Sequence, residues 1–197
     1  FPAHPPIPVK YIPYKLTASA GYENIDLSWD LELNEYEDPL EFEVVGFNVY
    51  KRVGNGEILR VNKDLIPNKY YTDIFTQPGN HEYKVSVVYR ILGKLEETEP
   101  SAPTNVYISS DLPEPIVSPP SGTYNSSITV EIEMPEELGE VKIYYTLDGD
   151  EPSYGKGMLY KEPFEITEST ELQIRVYKKG SLSKSVGKSL HKVPTLL

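Results

Sequence analysis

The sequence predicts an all-β protein made of two tandem β-sandwich modules. Three observations carry this reading. Apolar residues recur with period two in stretch after stretch, which is the strand signature, and no stretch shows a sustained helical stripe. Turn residues punctuate these stretches at short intervals, supplied by 18 Pro and 13 Gly. The length of 197 residues holds two sandwiches of roughly 100 residues each. The aromatic content agrees: 16 Tyr stand against 5 Phe and a single Trp, and a Tyr ring covers a half-buried pleated surface while its hydroxyl reaches water.

Residues 1–13 hold Pro2, Pro5, Pro6, Pro8 and Pro13. Such a run prefers extended polyproline geometry and cannot enter the middle of a sheet, so it is expected to be a linker. Ile25, Leu27 and Trp29 then share one face of a strand, with Asn24, Asp26, Ser28 and Asp30 on the other. An acidic segment follows, Glu32 to Glu43. Val45, Phe47 and Val49 resume the alternation. Gly54-Asn55-Gly56 marks a tight reversal, and Ile58 to Val61 returns. Tyr71-Thr72-Asp73 opens another short strand. Gln77-Pro78-Gly79-Asn80 turns, and Tyr83, Val85, Val87 and Tyr89 alternate again. Gly93 turns, and Thr104 to Ile108 forms the last strand of the first module, 14–109.

Ser109 to Pro115 combines Ser and Asp with two prolines, the composition of a short linker. The second module, 110–197, repeats the style. Ile128, Val130 and Ile132 alternate with Thr129, Glu131 and Glu133. Ile143, Tyr145 and Leu147 alternate with Tyr144 and Thr146. Asp148-Gly149-Asp150 turns. Leu172, Ile174 and Val176 alternate, Lys179-Gly180-Ser181 turns, and Ser185 to Val193 supplies a last strand.

Several strings in the first half fall in a recognisable order: Ile25-Asp26-Leu27-Ser28-Trp29, Gly46-Phe47-Asn48-Val49-Tyr50-Lys51, Tyr71-Thr72-Asp73, Gly79 to Val87, and Glu99-Pro100-Ser101. In this order and spacing, residues 14–108 resemble a fibronectin type III domain. The resemblance implies a core position for Trp29 and an interstrand anchor at Tyr83. The long acidic stretch between Trp29 and Gly46 departs from the family. No Arg-Gly-Asp is present, so integrin binding has no support.

The second half carries Pro119-Pro120-Ser121-Gly122-Thr123-Tyr124, then Val141 to Pro152 with the string YYTLDGDEP, then Leu159-Tyr160 and Pro163-Phe164. These resemble the immunoglobulin-like module at the C-terminal end of chitobiase and β-hexosaminidase proteins, also called a fibronectin-III-associated module. Both resemblances imply non-catalytic accessory modules of secreted bacterial enzymes, often glycoside hydrolases.

The formal net charge of −11 argues against nucleic acid, whose phosphates need a Lys/Arg patch, and against anionic lipid. No apolar run is long enough to span a bilayer. Without cysteine, thiol catalysis, disulfides and thiolate metal sites are excluded. The chain opens on Phe1, as a processed protein or a piece of a longer one does.

Trp29 is a sugar platform in principle, but its alternating strand makes it core. The acidic segment 32–43 has oxygen ligands for calcium, yet lacks the order and the Gly of an EF-hand loop; it reads as a solvated face. Asp148, Asp150 and Glu151 are explained by turn chemistry. His4, His81 and His191 lack metal-ligand spacing. Asn125-Ser126-Ser127 is a formal glycosylation sequon. Tyr50, Tyr107, Tyr144, Tyr154 and Tyr160, placed on outward strand positions, are candidates for a sugar-binding patch, but single exposed aromatics are normal on sheets and that plainer reading is favoured. No catalytic, cofactor or metal residue is expected.

Three functions stay open on this basis. One is a structural pair that spaces or docks flanking domains of a secreted or surface protein of bacterial type, itself carbohydrate-active. The second is a carbohydrate-binding pair that holds a parent glycoside hydrolase on polysaccharide. The third is a protein-binding adhesin segment.

Overall fold

The computed structural model describes residues 12–32, 42–135 and 137–193. The proline-rich segment 1–13 and the acidic segment 32–43 therefore lie largely outside the described residues, apart from their ends. The regular structure of the described residues is all β, and they contain no helix long and apolar enough to cross a membrane. The chain divides into two compact units. One gathers residues 12–20, 24–32, 42–73 and 79–107; the other gathers Gly21–Glu23, Ile74–Pro78 and residues 108–135 and 137–193.

The first unit contains β1 (Tyr14–Ala20), β2 (Asn24–Asp30), β3 (Phe42–Val53), β4 (Leu59–Arg60), β5 (Tyr70–Ile74), β6 (Gly79–Ile91), β7 (Lys94–Glu97) and the start of β8 (Thr104–Leu112). β1, β2 and β5 form one three-stranded sheet in that order. In the other, β4, β3 and β6 are neighbours, and β6 also pairs with β7 and β8. The split of first, second and fifth strands from third, fourth and sixth is the immunoglobulin-like division of a sandwich.

Period two places the core. Ile25, Leu27 and Trp29 are at most 3% exposed, while Asp26 and Ser28 face water. Trp29 meets Phe47 edge-on, with ring centroids 5.3 Å apart. Tyr83, Val85, Val87 and Tyr89 are fully buried from β6. Burial of each such side chain contributes about 1.5–3 kcal/mol. Strand β3 departs from simple alternation, because Asn48 is buried beside Phe47 and Val49. The chain from Val61 to Ile66 covers that outer face. Phe47 and Ile66 exchange backbone hydrogen bonds, and Asn62 donates to the Asn48 Oδ1 at 2.9 Å. Gly46 permits this close approach, since a Cβ there would lie 2.9 Å from the Ile66 carbonyl oxygen. The β6–β7 hairpin, unforeseen as a hairpin, turns through Leu92 (φ 48°) and Gly93 (φ 78°).

The second unit adds β9 (Ile116–Ser118), β10 (Gly122–Tyr124), β11 (Ile128–Glu133), β12 (Lys142–Thr146), β13 (Met158–Leu159), β14 (Phe164–Ile166), β15 (Thr170–Lys178), β16 (Ser181–Ser183) and β17 (Val186–Lys192). β14, β11 and β9 form one sheet. In the other, β15 lies between β12 and β17; β13 extends beyond β12, and β10 runs parallel beside β17. Ile128, Val130, Ile132, Leu172, Ile174 and Val176 join in one buried cluster. The polar stretch Ser109–Leu112, expected as linker, is strand instead: it pairs in parallel with Ser181–Ser183, and the Ser109 N–H donates to the Gly180 carbonyl. The pairing satisfies backbone groups that a linker would leave to water.

Candidate functional site

The tyrosines expected to face outward do not form one surface. Tyr144 is a correction: it is 7% exposed. Strand β12 is covered on both faces, so period two there does not separate core from solvent. Tyr144 meets Tyr177 edge-on at 5.8 Å, and Tyr177 in turn packs beside Phe75 at 6.0 Å. The Tyr144 hydroxyl donates to the Glu23 carboxylate at 3.2 Å, and Lys142 Nζ reaches the same oxygen at 2.9 Å. Burial first, and the Glu23 charge second, push the Tyr144 hydroxyl up to about 12. Tyr160 is a second correction. It is half-buried against the core cluster, and its hydroxyl accepts from the Ile132 N–H. Tyr50 is half-buried and donates to Glu97. Tyr107 and Tyr154 remain exposed, at 68% and 56%.

The YYTLDGDEP string forms a tight turn. Gly149 takes φ 85°, and the Asp150 N–H donates to Asp148 Oδ1 at 3.1 Å. Thr146 Oγ1 donates to the Asp150 carbonyl. Asp150 pairs with Lys156 at 2.9 Å, and Glu151 with Arg175 at 3.0 Å. The acidic residues of this string are thus engaged in turn formation and ion pairing. Beside the turn lies an open groove of about 480 Å³, with Tyr145, Leu147 and Met158 among its lining and Asp148 and Lys156 also lining it.

The other sequence candidates scatter. Trp29 is core, as expected. His81 is buried in β6 and His191 is exposed on β17; His4 lies outside the described residues. Asn125 sits in an exposed turn. Glu32 accepts from the Tyr14 hydroxyl at 3.0 Å, and Glu43 pairs with Arg90. Among the described residues no three His, Asp or Glu side chains group as metal ligands.

Two polar constellations escaped sequence reasoning. In the first, Glu97 accepts from Ser86, Tyr50 and Asn48. Burial alone would raise the Glu97 carboxyl, but these hydrogen bonds outweigh it and hold the group below the usual carboxylate range. On the opposite face of β3, burial and the Asp73 carboxylate raise the Tyr83 hydroxyl, and Asp73 accepts from Tyr83 and Lys51 at 2.6 Å each. The second is the outer face of the β1-β2-β5 sheet, where Thr72 Oγ1 donates to Asp26 Oδ1 at 2.7 Å and Tyr70 stands 62% exposed. The signal for that face was the polar half of each alternating strand.

Residues 119–188 match the family described as the chitobiase/β-hexosaminidase C-terminal domain. They form a chitobiase C-terminal-like module. Its turn string and the buried β11 and β15 strands lie within that match. No curated protein matches the chain. Among solved structures, a two-domain fibronectin type III segment from chicken tenascin aligns over 91% of this chain and 98% of its own, at 14% identity and a TM-score of 0.33. The FN1–FN3 domains of chicken CNTN1 align over 92% of this chain and 67% of theirs, at 16% identity and a TM-score of 0.33. The fibronectin type III-like character of the unit before the chitobiase-like module rests on its own strand order and its buried Trp29.

Proposed function

We propose that the chain is a non-catalytic accessory segment of a larger secreted or surface-exposed bacterial protein that acts on carbohydrate, and that it spaces or docks the flanking domains. The observation that carries this reading is the match of residues 119–188 to the chitobiase/β-hexosaminidase C-terminal domain. The environment of the acidic residues supports it. Asp148 and Asp150 shape a turn, Asp150 and Glu151 are ion-paired, and Glu97 is held by three donors. Glycoside hydrolysis instead asks for two carboxylates flanking a sugar cleft.

The test is the reading frame on either side of this segment, together with an assay of the purified chain on chromogenic glycosides. A neighbouring carbohydrate-active domain and no turnover by the chain are expected. Turnover that disappears in an Asp150→Asn variant would overturn the reading, and so would flanking domains with no connection to carbohydrate.

A further inference from the structure

We infer that the outer face of the β1-β2-β5 sheet binds a neutral sugar ring of a polysaccharide, with Tyr70 as the stacking platform and Asp26 as the central acceptor. The inference rests on the carbohydrate-linked reading above and adds the place and the ligand chemistry.

The face is set by strand geometry. Side chains at alternate positions stand on one side of a sheet, so Thr17 and Ser19 from β1, Asp26 and Ser28 from β2, and Tyr70 and Thr72 from β5 point outward together, and all six are exposed. Register locks them side by side: Thr17 opposes Ser28, and Ser19 opposes Asp26. Their polar atoms are already aligned, with Thr17 Oγ1 and Ser28 Oγ 2.9 Å apart and Thr72 donating to Asp26 at 2.7 Å. The six residues line a shallow groove of about 330 Å³. That is near the lower end of the roughly 300–1,000 Å³ range of ligand pockets, and it suits one ring laid flat better than a buried ligand.

The chemistry selects the occupant. Hydroxyls both donate and accept, as sugar diols do, and the Asp26 carboxylate accepts only. The groove is lined by no Lys or Arg, and the chain carries a net charge of −11, so phosphate, sulfate or uronate groups would meet repulsion at Asp26. Tyr70 offers an exposed ring face for sugar C–H groups and a hydroxyl that accepts from Asn68 Nδ2 at 3.4 Å.

The experiment is retention of the full chain on chitin, cellulose and xylan, with pectate as an acidic control, for wild type, Tyr70→Ala, Asp26→Ala and Tyr154→Ala. Circular dichroism confirms that each variant folds. Retention on a neutral polysaccharide is expected, weakened about tenfold by Tyr70→Ala and by Asp26→Ala and unchanged by Tyr154→Ala; about tenfold is the upper end for one lost stacking contact and the lower end for a lost hydrogen bond to a carboxylate. Retention that depends on Tyr154 and not on Tyr70 would overturn the site and leave the accessory reading standing. Retention on pectate alone, or on none of the polymers, would also overturn the site, while the reading frame and the glycoside assay judge the accessory reading independently.

Discussion

Strands β11 and β12 belong to the same unit and alternate equally well in sequence, yet they end in different environments. In β11 the pattern is obeyed: Ile128, Val130 and Ile132 are at most 5% exposed, while Thr129, Glu131 and Glu133 face water. In β12, Ile143, Tyr144 and Thr146 are all buried. The difference lies in what covers the second face. β11 has the core on one side and solvent on the other. β12 has the core on one side, and on the other the rings of Tyr144, Tyr177 and Phe75 with the Glu23 carboxylate. Period two reports which residues share a face; it does not report how many faces are covered.

The largest expected effect breaks this comparison directly. Tyr144→Ala should cost about 3–5 kcal/mol, the usual range for emptying a buried aromatic site. Thr129→Ala, at an outward position of β11, should stay within about 0.5 kcal/mol. Urea denaturation of both variants measures the contrast. Equal, small effects would show that the second face of β12 is open to solvent.

Next in size is Glu23→Ala. It leaves the Tyr144 hydroxyl and Lys142 without their carboxylate in a site where Glu23 is 5% exposed. A loss of about 1–3 kcal/mol follows from stranding a buried hydrogen-bond partner. Tyr144→Phe keeps the ring and removes one bond, so it should cost about 0.5–1.5 kcal/mol. A double-mutant cycle between the two positions should show coupling.

Alkaline pH sharpens the comparison without mutation. The Tyr144 hydroxyl titrates at about 12 in the folded chain against 10.0 for an ordinary tyrosine. The stability tied to its neutral form is complete below pH 10 and is lost as pH rises toward 12, because the unfolded chain ionises first. Tyrosinate absorbance followed together with circular dichroism should show late-titrating tyrosines released on unfolding, and Tyr144→Phe should reduce that late phase. The smallest effect belongs to the exposed Lys156–Asp150 pair. Lys156→Ala should leave the urea midpoint essentially unchanged, and high salt should erase any residual difference.

Much of the fold was legible because most strands keep one wet face. Ile25-Asp26-Leu27-Ser28-Trp29 placed Trp29 in the core correctly, and Leu172, Ile174 and Val176 did the same for β15. Glycine marked the turns at Gly54 and Gly180 by its tolerance of positive φ. Short strands such as β13 and β16 were not legible, since two or three residues carry no period. Ser109–Leu112 was misread because its polar side chains hide a backbone pairing. Tyr144 was placed outward for the reason β12 misleads: both of its faces are covered. The polar lattice around Asp26 was visible only as the solvent half of three strands; the proximity of Thr72 to Asp26 is a tertiary fact, 46 positions apart in the chain.

Leu92 sits at φ 48° beside Gly93 at φ 78° on the tip between β6 and β7, with 54% of its surface in water. A two-residue reversal with both centres at positive φ favours Asn-Gly, and a bulky L-residue there carries about 1–2 kcal/mol of conformational strain. The hairpin is thus held closed by its ladder from Val88 to Ile91 against the preference of its own corner. Opening should begin there, and an asparagine at this one position would slow hydrogen exchange along the whole ribbon.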